Sequence, residues 1–260
     1  MHPAEVAARA HGNGVDVWAL SDHDELSGLP EATQAADELG LRFIPGVEIS
    51  ATFCDKTVHI LGLNIDARHE GLGLGLETVR ASRLIRAHEI DARLQALGLG
   101  ECYAGALTYA GNPDLLSRAH FARYLHEIGA CRSVQKAFDK YLGEGRAAYV
   151  PVQWATLAQS VEWIQAAGGK AVIAHPGRYK YRPVQFDALF DEFKALGGEG
   201  IEVVTGSHTP RQYVEYAQVA RHYGFEASRG SDFHGVESRV DLGRLPDLPA
   251  DLTPVWQDWL

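Results

Sequence analysis

Lys170-Ala171-Val172-Ile173-Ala174-His175-Pro176-Gly177-Arg178 is the stretch on which the reading of this sequence turns. An apolar run without polar alternation suits a strand covered on both faces, and this one stops at a histidine and a Pro-Gly turn. Downstream the pattern recurs twice. Gly200-Ile201-Glu202-Val203-Val204 ends at Thr205-Gly206-Ser207-His208, and Phe225-Glu226-Ala227-Ser228 is followed by Gly230-Ser231-Asp232-Phe233-His234. Upstream, Val15-Asp16-Val17-Trp18-Ala19-Leu20 runs into Ser21-Asp22-His23-Asp24 and a helix-like stretch from about Pro30 to Leu39. Leu41-Arg42-Phe43-Ile44-Pro45-Gly46-Val47 leads to Glu48, and Thr57-Val58-His59-Ile60-Leu61-Gly62 is a strand with a histidine inside it. Apolar strands alternating with helices indicate an α/β fold with a mainly parallel sheet covered by helices.

Between about Asp66 and Ser160 the rhythm changes. Val79, Ile85, Ile90, Leu94 and Leu97 give Glu77 to Leu97 a helical spacing, and further helices are expected over 116–128 and 134–142. The expected organisation is a barrel-like domain over 1–65 and 161–260, with residues 66–160 as a helical insertion. Gly71-Leu72-Gly73-Leu74-Gly75 lacks the spacing and the preceding strand of a dinucleotide fingerprint, and it reads as a linker. The chain opens with Pro3-Ala4-Glu5-Val6-Ala7-Ala8-Arg9-Ala10, a helical pattern with proline in the first turn, where a β/α repeat should open with a strand.

The composition, 46% hydrophobic and 22% charged, is that of an ordinary globular protein, and no apolar run approaches a membrane span. No secretory pattern opens the sequence, and Cys54, Cys102 and Cys131 form no C-x-x-C pair, which fits a reducing cytoplasm. A formal charge of −10 disfavours stable complexes with long nucleic acid. A phosphorylated substrate remains compatible, because bound cations reverse the local sign.

The strand ends carry His23, Glu48, His175, Asp232 and His234, with His59 on a strand between them. Imidazole nitrogen with carboxylate oxygen, and no thiolate, suits zinc, manganese or iron. Each feature alone has a plainer reading: Asp22-His23-Asp24 as a turn and helix cap, His175-Pro176-Gly177 as a turn, and His59 as a hydrogen-bonded core residue. Asp232-x-His234 puts two ligand types on one face of an extended segment. Six such residues at comparable positions in successive units favour a metal site.

These motifs resemble, in order, those of the PHP (polymerase and histidinol phosphatase) phosphoesterases. Ala19-Leu20-Ser21-Asp22-His23-Asp24 is similar to T-D-H-D, and Ile44-Pro45-Gly46-Val47-Glu48-Ile49-Ser50 is similar to G-x-E-x-S. His59, Ala174-His175-Pro176-Gly177-Arg178 and Gly230-Ser231-Asp232-Phe233-His234 match the later motifs. The resemblance covers essentially the whole chain. It points to the subgroup that hydrolyses nucleoside 3′,5′-bisphosphates and trims short RNA from its 5′ end.

What it implies is a distorted seven-stranded β/α barrel with a site for up to three divalent ions, usually manganese, iron or zinc. Glu48 would bridge two ions, His59 and His175 would hold one, His23 and His234 would help to hold another, and Asp232 would serve the remaining one. A metal-bridging hydroxide would be the nucleophile, with no protein nucleophile. Arg178, Arg118, His120, Ser207 and His208 are candidate substrate contacts, since arginine forks match phosphate oxygens. For Arg118 and His120 the alternative is a solvated helix face; Arg80, Arg83, Arg86 and Arg93 read as a solvated surface, with guidance of a short oligonucleotide as the alternative.

The family begins with a strand ending in H-x-H, then S-D-G and a helix with P-x-E. Pro3-Ala4-Glu5 is present here, but nothing corresponds to H-x-H or the aspartate. The expectation is a start placed at an internal methionine; the alternative is a relative that binds metal and nucleotide without turnover. Histidinol phosphatase is the nearest rival within the family. Amidohydrolase chemistry is a rival from outside it, but it often needs a carboxylated lysine at a strand end, and Lys170 begins a strand.

Overall fold

The structure is a computed structural model and describes residues 1–151 and 154–259. The chain divides into two compact units: Met1–Leu76 with Ala155–Leu260, and Glu77–Trp154. In chain order the elements are α1 (Pro3–Gly12), β1 (Val17–Leu20), α2 (Leu29–Leu39), β2 (Arg42–Phe53), β3 (Lys56–Leu63) and α3 (Glu70–Ala96). The helical unit adds α4 (Tyr103–Leu107), α5 (Arg118–Glu127) and α6 (Val134–Ala137). The chain then returns through β4 (Ala155–Thr156), α7 (Leu157–Ala166), β5 (Lys170–Ile173), α8 (Pro183–Ala195), β6 (Gly200–Thr205), α9 (Pro210–Tyr223) and β7 (Glu226–Gly230).

The first unit holds one curled sheet in the order β1-β2-β3-β5-β6-β7, with β4 beside β2, consistent with a distorted barrel of the PHP type. β1–β2, β2–β4, β5–β6 and β6–β7 are parallel. β3 runs antiparallel to both β2 and β5. The reason is its connection: Cys54 and Asp55, at φ 46° and 60°, are a two-residue turn, too short for anything but a hairpin. β2 also runs on to Phe53, so Glu48 lies inside a long strand and not at its end. Ile44, Leu61, Leu63, Val172, Ala174 and Val255 form one apolar cluster on this sheet.

The glycine-rich segment is helical, contrary to its reading as a linker, because packing outweighs propensity there. Leu72 and Leu76 are fully buried, and a Cβ on Gly75 would stand 2.5 Å from the Trp163 ring of α7. The glycine thus lets the two helices close on each other. In the helical unit, Ile90, Leu94, Phe121, Leu125 and Leu142 are buried in one core. Burial of each such side chain contributes roughly 1.5–3 kcal/mol. Among the described residues, no helix is long and apolar enough to cross a membrane.

Candidate metal centre

The hairpin register builds the first half of the site. Glu48 pairs with Leu61 and Ser50 with His59, so Glu48 and His59 are diagonal neighbours on one face. His59 Nδ1 lies 2.7 Å from Glu48 Oε1. His175, just beyond β5, brings Nε2 to 2.9 Å from the same oxygen and 3.2 Å from His59 Nδ1. His23 follows β1, joined to Glu48 by a parallel bridge, with Nδ1 3.8 Å from Glu48 Oε2. Burial pushes the Glu48 carboxyl up, but His23 and the hydrogen bonds with His175 and His59 outweigh it and hold the group well below the usual carboxylate range.

Asp24 is fully buried at φ 53° and accepts hydrogen bonds from the Ser50 N–H at 2.7 Å and the Ser50 hydroxyl at 2.9 Å. That clamp ties the His23 turn to β2 two residues beyond Glu48. His175 (φ 27°) and Asp232 (φ 55°) also sit at positive φ. Each such non-glycine residue costs about 1–3 kcal/mol, which the surrounding structure has to supply.

Asp232 accepts from the Ser207 hydroxyl at 2.6 Å and from Arg178 at 3.1 Å, both on Oδ2. His234 is exposed, with Nδ1 3.4 Å from Asp232 Oδ1 and its ring centroid 5.7 Å from that of His23. His208 points elsewhere. It is buried, accepts the Gly177 N–H at 2.9 Å on Nε2, meets the Val203 carbonyl at 3.2 Å through Nδ1, and stacks on Tyr216. Both ring nitrogens therefore hold backbone, and the residue braces the turn that carries Arg178.

Glu202 is a buried carboxylate that the sequence reading passed over. Its Oε2 accepts the His175 N–H at 2.6 Å, and burial, partly offset by His175, pushes its pKa up to about 8. The available signal was a single acid inside the otherwise apolar run Ile201-Glu202-Val203-Val204.

Arg118 and His120 belong to α5 of the helical unit. Arg118 donates to the Leu142 carbonyl at 3.3 Å and lies over the Tyr149 ring. His120 Nδ1 accepts the Ser117 N–H at 3.1 Å as part of a helix cap. Arg86 donates to the Val150 carbonyl at 3.0 Å, and burial with repulsion from Arg118 lowers its pKa to about 10.

The donor set fits a divalent ion. His23–Glu48–His59 and Glu48–His175–Asp232 are two groups whose ligand atoms all lie within 4.8 Å of one another. Spacings of 2.7, 2.9 and 3.2 Å among Glu48, His59 and His175 match adjacent ligands around an ion bound at about 2.0–2.2 Å. His175 Nδ1 is buried and has no hydrogen-bond partner among the described residues, the kind of atom an ion or a water satisfies. A cavity of about 560 Å³ opens onto His23, Glu48, His175, Glu202, Asp232 and His234. Imidazoles and carboxylates gathered on a curled α/β sheet are the equipment of a metal-dependent hydrolase.

Comparison with family profiles finds no match. Among individual proteins, the chain is 44% identical to a 3′,5′-nucleoside bisphosphate phosphatase of Chromobacterium violaceum, over 98% of this chain and 90% of the relative. It is 40% identical to a 5′-3′ exoribonuclease of Haemophilus influenzae, over 99% and 93%. The chain belongs to the PHP family of metal-dependent phosphoesterases, in the branch of these two relatives. A Chromobacterium violaceum structure described as an amidohydrolase, with bound sulfate and no metal, superposes at TM-score 0.90 and 43% identity, covering 99% of this chain and 90% of that one. A candidate metal-dependent phosphoesterase of Bifidobacterium adolescentis superposes at 0.75 and 27% identity, covering 97% and 87%.

Proposed function

We propose that this protein removes phosphate from nucleoside 3′,5′-bisphosphates and shortens small RNAs from the 5′ end, using divalent ions held by His23, Glu48, His59, His175, Asp232 and His234. The observation that carries the reading is the Glu48 carboxylate, shared by both groups of ligand-type residues. Divalent ions, when bound, supply Lewis acidity and lower the pKa of water toward neutrality. The protein's own part is to fix the donors and to bind the ester. Manganese is the expected ion, with iron and zinc as alternatives for a nitrogen and oxygen donor set without thiolate.

Arg178, 49% exposed and held by Asp232, has donors left to pair with two phosphate oxygens. Ser207 is bonded to the same Asp232 and presents its hydroxyl beside it. Arg118 and His120 of the helical unit remain candidate phosphate contacts, Arg118 through its charge and His120, whose pKa burial lowers, as a neutral hydrogen-bonding ring. His208 acts indirectly, by bracing Gly177 next to Arg178.

Amidohydrolase chemistry finds less support. The sequence has six lysines, and Lys170 is engaged with Glu226 at 2.8 Å at the start of β5. The test, with Mn²⁺, is phosphate release from adenosine 3′,5′-bisphosphate and histidinol phosphate and mononucleotide release from a 5′-phosphorylated RNA of a few nucleotides, beside ammonia release from an amide panel. Turnover of the bisphosphate that a chelator stops is the expected result. Faster turnover of histidinol phosphate, ammonia release alone, or nucleotide binding without turnover refutes the proposal.

A further inference from the structure

β5 is four residues long, and its backbone pairing stops on both sides at about the same point. Toward β6 the last paired residue is Ile173, opposite Ile201. Toward β3 it is Ile173, opposite Ile60, followed by one more bond from the Ala174 N–H to the His59 carbonyl at 3.1 Å. Past this point the backbone turns at His175 to φ 27° and ψ 57°. The Ala174 carbonyl and the His175 N–H are thereby taken off the ladder inside a buried region, where each needs a partner.

Two side chains take the place of neighbouring strands. On the β6 side, the Glu202 carboxylate accepts the His175 N–H at 2.6 Å. On the β3 side, the Tyr179 hydroxyl donates to the Ala174 carbonyl at 2.7 Å and accepts the His59 N–H at 2.9 Å. One hydroxyl therefore joins the residue before His175 to the backbone of His59, and those two imidazoles lie 3.2 Å apart on Glu48. The Tyr179 ring also stands edge-on to that of His175, with centroids 5.8 Å apart. An extended backbone at 174–175 would satisfy the same two groups by pairing with β3 and β6. In the turned conformation the two side chains supply those partners instead, and so favour it.

We propose that Tyr179 and Glu202 are positioning residues that hold the His175 backbone in its left-handed conformation and so aim the imidazole at Glu48 and His59. Neither residue is assigned to the ligand set or to substrate binding. The consequence for ion binding rests on the metal-centre reading above, whereas the consequence for the His175 backbone does not.

The test has two readouts, both made without turnover. Crystal structures of the metal-free wild type and of a Tyr179→Phe, Glu202→Ala double variant report the backbone. The expected result is a return of His175 to negative φ, with Nε2 moving beyond hydrogen-bonding range of Glu48, more than about 3.5 Å. Titration with Co²⁺, followed by its visible absorption, reports the ligands. Affinity should fall roughly 10–100-fold, the usual loss when a ligand's supporting hydrogen bonds are removed. Glu202→Gln keeps a carbonyl acceptor for the His175 N–H and should recover most of the affinity lost in Glu202→Ala, which a merely space-filling role for Glu202 would also do, so the backbone angle decides between them.

An unchanged φ at His175 in the double variant overturns the proposal, whatever the cobalt affinity. If the double variant is unfolded by circular dichroism, Tyr179→Phe alone is decisive, since it keeps the ring and removes only the hydroxyl. An unmoved His175 with wild-type cobalt affinity in that variant is equally fatal. A wild-type protein that binds no Co²⁺ refutes the metal-centre reading instead, and the crystallographic comparison still decides the role of the two residues.

Discussion

Gly73 and Gly75 lie two residues apart in α3, and exchanging each for alanine should change stability in opposite directions. A Cβ at Gly73 meets nothing within 4 Å. Gly73→Ala therefore gains helix propensity alone, up to about 1 kcal/mol. At Gly75 the same methyl would lie 2.5, 2.6 and 2.8 Å from three atoms of the Trp163 ring. The ring is not the free end of a flexible chain, so helix or indole has to shift, an overpacking cost of about 1–3 kcal/mol. Setting the propensity gain against it leaves Gly75→Ala roughly 0–2 kcal/mol less stable than wild type. The two variants should thus differ by about 2 kcal/mol, or several degrees in melting temperature at about 2–4 °C per kcal/mol. Urea titration followed by tryptophan fluorescence and circular dichroism measures this, with the midpoint as the quantity compared. If Gly75→Ala proves as stable as Gly73→Ala, helix propensity governs this segment and the close approach of α3 to Trp163 is wrong.

Three further outcomes follow from the site. Glu48→Gln removes the charge that faces His59, His175 and His23, and should abolish saturable cobalt binding while leaving the circular dichroism spectrum intact; retention of wild-type affinity would show that Glu48 is no ligand. Arg178→Ala should raise KM for a phosphate ester by about an order of magnitude, the scale of a lost charge-assisted hydrogen bond, and unchanged kinetics would remove Arg178 from the substrate site. Burial lowers the His208 pKa to about 4. Unfolding lets this imidazole take up a proton at its ordinary value near 6.5, so stability is fully present above about pH 6.5 and falls as pH drops toward 4, by about 3 kcal/mol. His208→Gln, which retains an acceptor for Gly177, should flatten that decline in urea titrations at pH 7 and pH 4.5; an equal decline in both proteins would assign it to other groups.

The positions that proved legible in the sequence were those with a local mark. His23, His175, Asp232 and His234 stand where an apolar run breaks into a turn, and the sheet does bring those breaks together with Glu48 and His59. What escaped notice depended on contacts distant in sequence. The direction of β3 was set by a turn of Cys54 and Asp55, without the glycine or asparagine that usually announces a hairpin. Glu202 is one acid in an apolar strand, and its partner, the His175 N–H, is 27 residues away. Asp24 looked like a helix cap, and its carboxylate instead reaches Ser50 across 26 residues. His208 followed a strand end just as the ligand candidates do, but only the packing reveals that its ring faces Gly177 and Tyr216. The Gly71–Gly75 run misled for the same reason, since the surface that requires small residues belongs to α7.

The hairpin of β2 and β3 limits how this chain can change over evolutionary time. One residue added at Cys54-Asp55 would slide β3 by one place and turn His59 to the opposite face of the sheet, away from Glu48. The stretch between β3 and β4 is under no such constraint, and it accommodates the entire Glu77–Trp154 unit. In lineages of this fold, length variation should therefore accumulate in the helical unit, while the two-residue turn stays fixed in length even as its amino acids vary.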